Sequence, residues 1–191
     1  MTRPSLHPLH SARRLSAPAL ALAAALLAAG CSFAPPGPPM PTVAAVDVDR
    51  YIGTWYEAAS IPNWFQAKCA SDTRARYRRQ DDRLEVFNTC RRADGSLDSA
   101  TGVAEVVPDS GNAKLRVSFF RPFYGDYWVL ALDADYRWAL VGEPGRRYGW
   151  VLSRAPNMAT ADLETALARA QALGYERQAF KATPQSPSPA P

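Results

Sequence analysis

Histidine is nearly absent from this chain of 191 residues. Only His7 and His10 occur, and both lie within the first 30 residues. That segment combines three arginines with an apolar run too short to span a bilayer, which is typical of a cleaved export signal. The remaining chain would then have no histidine, so Ser/His/Asp or Cys/His catalysis is excluded and the commonest metal ligand is missing. We therefore expect no enzymatic activity, no cofactor and no metal site.

An excess of positive charge is also absent once the signal is removed. Of the 22 Lys and Arg residues, three lie in residues 1–30, where there is no Asp or Glu, so 19 basic residues are left beside 18 acidic ones. The basic isoelectric point of the whole chain therefore gives no support to a nucleic-acid partner.

Cysteine is scarce, and its three residues divide into two groups. "LLAAGC" ends the signal at Cys31, and small residues before a cysteine are typical of lipoprotein cleavage, which leaves a lipidated N-terminal cysteine. The acyl chains would anchor the protein to a membrane. Ser32, rather than an Asp, follows the cysteine, which resembles lipoproteins sorted to the outer membrane, so we expect a protein anchored there and facing the periplasm. The alternative is ordinary signal cleavage with a free Cys31.

Cys69 and Cys90 form an even pair in an oxidising compartment, which predicts a disulfide. A reactive thiol is the alternative. Neither cysteine lies in a CxxC motif or at zinc-ligand spacing.

Proline separates the domain from both termini. We expect a signal over 1–30, a lipidated cysteine and Pro-rich tether over 31–46, a single domain over 47–182 and a disordered tail over 183–191. Within the domain, short β-patterned segments alternate with turn signals. Strands are predicted at 53–59, 72–79, 84–90, 100–107, 114–120, 126–132, 136–142 and 148–153.

Eight strands with hairpin-length links predict an all-β fold, an up-and-down antiparallel barrel. One helix follows, with Thr160 as its N-cap and Gly174 as the C′ residue. Its single apolar stripe needs a surface, so we expect it to pack outside the barrel.

Four blocks of this sequence resemble the lipocalins, in particular the bacterial outer-membrane and apolipoprotein D types. They are "GTWYE" at 53–57, "VSFFRPFYGDYWVLALD" at 117–133, "WALVG" at 138–142 and "YGWVLSRAP" at 148–156. The resemblance implies that Trp55 plugs the closed end of the barrel, that Arg154 lies across its ring, and that Gly53 leaves room for the chain to cross below. It also implies a small hydrophobic ligand inside.

Strand alternation predicts which side chains line the interior. If Trp55 points inward, so do Glu57 and Ala59, and the sixth strand contributes Ala131. Alanines leave volume while aromatics supply apolar faces, which favours a pocket over a barrel filled by its own side chains. The candidate ligand-binding residues are Tyr77, Asn88, Val117, Phe119, Tyr127, Val129 and Trp150. The resemblance to the lipocalins implies that Tyr127 and Trp150 are the strongest of these, because they fall on strands whose inward residues touch ligand in that family.

Two features leave alternatives open. Glu57 could be a general base, but a buried acceptor for Tyr, Asn88 or Arg is the favoured interpretation. Trp64 and Phe65, in the loop after the first strand, could gate the pocket, touch the bilayer or cap the core.

Three functions follow from these features. The leading hypothesis is a membrane-anchored carrier of a fatty acid, lysophospholipid or similar molecule. The resemblance to the lipocalins implies that it serves lipid storage or transport and membrane maintenance. The second is an enzyme acting on its bound ligand through a free Cys69, Cys90 or Glu57. The third is an interaction module whose loop aromatics recruit a partner or a second copy, giving a homodimer.

Overall fold

The computed structural model describes residues 39–186. Within this range, two α-helices are present, α1 (Val48–Tyr51) and α2 (Thr160–Ala172), with short 3₁₀ turns at Trp64–Gln66 and Arg177–Ala179. The strands are β1 (Gly53–Ser60), β2 (Ser71–Gln80), β3 (Arg83–Arg91), β4 (Leu97–Val106), β5 (Lys114–Phe120), β6 (Phe123–Leu132), β7 (Trp138–Gly142), β8 (Gly149–Ser153) and β9 (Lys181–Ala182).

The first eight strands form a closed antiparallel barrel, as predicted. Each strand pairs with its sequence neighbours, and β1 closes the sheet by pairing with both β2 and β8. Every predicted strand is present; β4 and β6 begin three residues earlier than expected, at Leu97 and Phe123. The chain direction places the β1–β2, β3–β4, β5–β6 and β7–β8 connections at one end, the open end, and α1 with the remaining connections at the other, the closed end.

Two hydrophobic clusters hold the barrel together. One fills the half of the barrel nearer the closed end, its lower half, and includes Trp55, Tyr77 and Val129. The other lies between the outer surface and α2 and includes Leu140 and Leu167. Since each strand alternates its side chains between the two faces, one sheet supplies both clusters.

Two bulges overturn part of the predicted interior. Pairing shifts register between Glu57 and Ala59 in β1, and between Val129 and Ala131 in β6. An extra residue reverses the alternation beyond it. Ala59 and Ala131 therefore pack in the outer cluster under α2, so their predicted inward orientation is wrong.

Helix α2 lies outside the barrel, as expected. Ala166, Leu167 and Ala170 are buried, and Gly174 follows the helix with a φ of 85°, the left-handed conformation of a C′ residue. The predicted N-cap is wrong by one position, because Ala159 is the cap and Thr160 is the first helical residue.

The described chain extends beyond the predicted domain at both ends. Met40 is buried under α2, and the Val43 N–H donates to Val129 O, so part of the predicted tether packs on the barrel. Residues 183–186 are hydrogen-bonded between β1 and β2, whereas the prediction placed them in a disordered tail. Backbone groups left unpaired by the two diverging strands explain why this polar segment is held.

Candidate functional site

The closed end is sealed by an aromatic and an arginine. Trp55 is fully buried, and the guanidinium carbon of Arg154 lies 3.8 Å from its ring centroid. The same guanidinium donates to the carbonyl oxygens of Thr54, Arg50 and Tyr51 at 2.9, 2.6 and 3.1 Å. Burial lowers the pKa of Arg154 from its ordinary value. This side chain therefore ties the chain below the barrel to the start of β1.

Gly53 is required by this arrangement. Its φ is 101°, which a residue with a Cβ rarely adopts, and a Cβ there would lie 3.2 Å from Arg154 Nη1. Both the backbone turn into β1 and the approach of the arginine therefore favour glycine.

A trio of tyrosines lies above this seal: Tyr51 and Tyr77 are buried, and Tyr127 is partly buried. The Tyr77 hydroxyl donates to the Tyr127 hydroxyl at 2.9 Å, and the Tyr51 and Tyr127 hydroxyls are 2.8 Å apart. Burial raises the pKa of Tyr77 to about 12 and those of Tyr51 and Tyr127 further. All three are therefore neutral hydroxyls at physiological pH.

Above the three tyrosines, the inward-facing side chains are less buried than those below them. Tyr77 and Val129 are buried in the packed lower half, whereas Asn88, Val117 and Trp150 are only partly buried although they face inward. Asn88 Oδ1 is buried without a hydrogen-bond partner in the described chain. We call this less tightly packed upper half, toward the open end, the lumen; Tyr127 lies at its floor.

Phe119 lies at the rim of this lumen. One ring carbon of Phe119 lies 2.8 Å from the position that a Cβ would take on Gly102, so the ring lies directly over that glycine. The Phe119 side chain is 45% exposed. Gly102 pairs with Val86, whose side chain is in the core, so the ring covers the inner side of the rim.

A partly buried polar network surrounds the buried Glu57 near the open end. The carboxylate accepts hydrogen bonds from Ser60 Oγ, Gln66 Nε2 and Thr183 Oγ1 at 2.8, 2.8 and 2.6 Å. The expected acceptor role is therefore present, but the expected Tyr, Asn88 or Arg partners are wrong. Gln66 Oε1 also accepts from the Trp150 indole at 2.9 Å. One carboxylate thus joins the first loop, the C-terminal segment and the lumen.

The first loop is fixed at its base. Cys69 and Cys90 form the predicted disulfide, with a Cα–Cα distance of 5.5 Å. A cleft of about 280 Å³, lined by both polar and apolar side chains, lies between this loop and residues 181–184, with Glu57 in its wall. Within residues 39–186 no cluster of three potential His, Cys, Asp or Glu metal ligands is found, and no helix is long and apolar enough to cross a membrane.

Comparisons with known proteins agree with this geometry. The family model described as lipocalin-like domain matches residues 46–185. This chain belongs to the lipocalins. An Escherichia coli K12 protein named outer membrane lipoprotein Blc is 38% identical to this lipocalin over 161 residues, covering 84% of this chain and 91% of that protein. Temperature-induced lipocalin-1 of Arabidopsis thaliana is 39% identical over 159 residues, covering 78% and 85%.

Solved structures show the same fold at lower identity. Lobster apocrustacyanin A1 matches this lipocalin with a TM-score of 0.62 at 18% identity, covering 80% of this chain and 93% of the other. Insecticyanin of Manduca sexta matches with a TM-score of 0.63 at 20% identity, covering 78% and 86%.

Sequence reasoning missed several residues that this lipocalin brings together. Tyr51 is the last residue of the short helix α1 and lies two positions before Gly53 of "GTWYE". An apolar residue at that position was a signal that could have identified it. Gln66, Thr183 and Gln185 carry no such signal, because polar residues in a loop and a proline-rich tail resemble solvent-exposed chain.

Proposed function

We propose that this lipocalin binds one small hydrophobic molecule, such as a fatty acid or lysophospholipid, in the upper half of its barrel, for lipid storage or transport and membrane maintenance. The observation that carries the proposal is the partial exposure of inward-facing Val117, Tyr127 and Trp150 above a packed floor. An eight-stranded barrel has room for one small ligand.

The floor and wall also offer polar contacts. Three tyrosine hydroxyls share two hydrogen bonds, so one hydroxyl hydrogen is left to donate. Asn88 Oδ1 is a free acceptor within the described chain. A single-chain lipid with one polar end fits this combination, because the wall between these groups is apolar.

The proposed location is the periplasmic face of the outer membrane, with Cys31 lipidated. Its support is the "LLAAGC" sequence and the name of the Escherichia coli relative, outer membrane lipoprotein Blc. A homodimer is a further proposal, for which analytical ultracentrifugation is the test.

Ligand binding can be tested with matched tryptophan variants. Native mass spectrometry of the purified, gently delipidated protein should show a small apolar adduct after incubation with oleate or lysophospholipid. Trp150→Ala removes an aromatic wall and should weaken binding about tenfold. Trp128→Ala is the control, because that ring packs outside the barrel beneath Lys114. A lumen that stays empty, or equal losses in both variants, would contradict the proposal.

An enzyme is the less supported alternative. The disulfide uses both Cys69 and Cys90 sulfur atoms, so neither is a free nucleophile. Glu57 accepts three hydrogen bonds, and residues 39–186 contain no histidine. Turnover of the bound lipid by wild type that is lost in Glu57→Gln would favour it instead.

A further inference from the structure

We propose that the open end of the barrel docks directly on an anionic lipid surface, independently of the acyl chains on Cys31. The first observation is where the large apolar side chains are exposed. All six such residues in the described chain lie at the open end: Trp64, Phe65, Leu97, Phe119, Phe120 and Phe123. Large exposed apolar side chains mark interaction sites, and their restriction to one end identifies the interacting end.

These side chains form two groups on opposite sides of the open end, which we call the mouth. Trp64 is 81% exposed on the β1–β2 loop, while Phe120 and Phe123 are 74% and 70% exposed beside the β5–β6 turn and stack on each other. In the order of strands around the barrel, these two connections lie across from each other. Two apolar contacts on opposite sides of the open end suit a flat surface such as a membrane, because together they would hold the open end against that surface.

Trp64 is held outward by its own loop. Asn63 caps the 3₁₀ turn by accepting a hydrogen bond from the Gln66 N–H at 2.9 Å. Gln66 is in turn bound to Glu57 at the barrel wall. An exposed indole fixed in this way loses little conformational freedom when it enters an interface, and tryptophan favours the water–lipid boundary.

The charges of the two ends favour an anionic surface at the mouth. Segments 61–70, 91–98, 119–123 and 143–148 contain six basic residues and three acidic ones. At the closed end, segments 47–52, 80–83, 107–113, 133–137 and 154–157 contain four basic and seven acidic residues. The mouth is therefore net positive by three, and the closed end net negative by three.

This charge distribution argues against a second copy as the occupant. A symmetric mouth-to-mouth dimer would place two net positive surfaces against each other. The basic side chains also keep access to solvent although several form ion pairs: those of Arg147 and Arg121 are 77% and 56% exposed. Exposed pairs of this kind are weak and easily exchanged for lipid phosphates.

The surface leads into the lumen. Ring centroids are 5.6 Å apart between Trp64 and Phe65, 5.4 Å between Phe65 and Tyr148, and 6.2 Å between Tyr148 and Trp150. This aromatic series runs from Trp64, the most exposed of the six apolar side chains, to Trp150 in the proposed ligand wall. An apolar ligand could therefore leave a bilayer without crossing bulk water; this consequence, unlike docking itself, rests on the proposed function.

The proposed tether is long enough for this orientation. Met40 packs in the cluster that includes Leu130 of β6, whose upper end is Phe123. Seven residues of strand span about 23 Å, and the nine residues from Cys31 to Met40 can span about 30 Å. An anchor at Cys31 and a mouth in contact with the membrane are therefore compatible.

Vesicle binding tests the proposal. The protein is the chain from residue 31 onward with Cys31→Ser, which contains every residue described and cannot be lipidated. We expect it to float with vesicles of phosphatidylglycerol and phosphatidylcholine and to be released by high salt. Replacing Trp64, Phe120 and Phe123 together by Ser should weaken the apparent Kd about tenfold or more. The urea midpoint should be unchanged, since all three side chains are exposed.

A matched pair of charge variants locates the surface. Arg121→Glu with Arg147→Glu changes the mouth, and Arg79→Glu with Arg83→Glu makes the same charge change near the closed end. Only the mouth variant should lose binding. Absence of vesicle binding, or equal losses from both pairs, would overturn the proposal. Sedimentation showing an aromatic-dependent dimer without vesicle binding would also overturn it and assign the surface to a second copy. Oleate binding in solution, measured in parallel, separates this result from the proposed function.

Discussion

The closed and open ends are built by the same eight strands but are held in different ways. At the closed end, Trp55 is completely buried and Arg154 satisfies three backbone carbonyl groups around it. At the open end, Trp64 is mostly exposed, and contacts between loop and tail converge on the Glu57 carboxylate. One end is therefore stabilised by burial and the other by polar contacts.

This difference separates stability from function within one barrel. Packed residues resist opening, because every movement exposes apolar area or breaks a backbone hydrogen bond. Polar contacts near solvent can exchange with water at smaller cost. We therefore expect the closed end to set the free energy of unfolding and the open end to govern access to the lumen.

The largest expected effect comes from exchanging one tryptophan at each end. Trp55→Ala leaves a large cavity and removes the ring under Arg154, so the free energy of unfolding should fall by about 3–5 kcal/mol. Trp64→Ala should change it by no more than about 0.5 kcal/mol, because that side chain is 81% exposed. Urea denaturation followed by circular dichroism measures both. Similar losses in the two variants would remove the proposed distinction between the ends.

A smaller effect is expected in the tyrosine trio. Tyr77→Phe removes a hydroxyl that donates to Tyr127, which should cost about 0.5–1.5 kcal/mol at pH 7. Burial raises the pKa of Tyr77 to about 12, above its value of 10.0 in the unfolded chain. The stabilisation from this neutral hydroxyl is complete below pH 10 and is lost as the pH rises toward 12.

The difference between wild type and Tyr77→Phe should therefore shrink across this alkaline interval. Urea titrations at several pH values measure it, and a constant difference would contradict the burial of this hydroxyl.

The smallest effect concerns the C-terminal segment at the open end. Asp72 accepts hydrogen bonds from the Ser186 N–H and hydroxyl at 2.6 and 3.0 Å, and the Ser186 N–H is the main cause of a lowered Asp72 pKa. The contribution of this carboxylate is complete above its unfolded pKa of 3.8 and is lost as the pH falls through the lowered value.

Hydrogen exchange checks this prediction, after correction for the intrinsic rate. The Ser186 amide should lose protection in acid, and in Asp72→Asn at neutral pH. The Val129 amide, bonded to Ala113 O near the closed end, is the control and should be unaffected. Equal changes at both amides would indicate global unfolding instead.

Much of the barrel could be predicted from local patterns. Alternating apolar residues between turn signals identified all eight strands, because a strand with one buried face requires period-two alternation. The two bulges could not be predicted in this way, since an extra residue in β1 or β6 leaves no mark on composition. The inward orientation of Ala59 and Ala131 was wrong for that reason.

The candidate site was predictable to a lesser degree. Trp150 and Asn88 follow from strand phase, and their part in ligand binding remains a prediction. Tyr127 was identified by phase as well, but its two hydroxyl partners come from elements 50 and 76 residues away in the chain. Contacts between residues so far apart in the chain depend on how the barrel closes, and no local sequence pattern predicts that closure.

By itself, the sequence determined the strand order, the outer helix and the disulfide pair, because periodicity, turn chemistry and cysteine number act locally. Only the tertiary structure decided that Glu57 would bind the first loop and the C-terminal segment, and that every large exposed apolar side chain of the described residues would lie at one end. The C-terminal segment binds there because β1 and β2 diverge and leave backbone groups that must find partners far along the chain. The exposed apolar side chains come together because closing the barrel brings four strand connections to the same end.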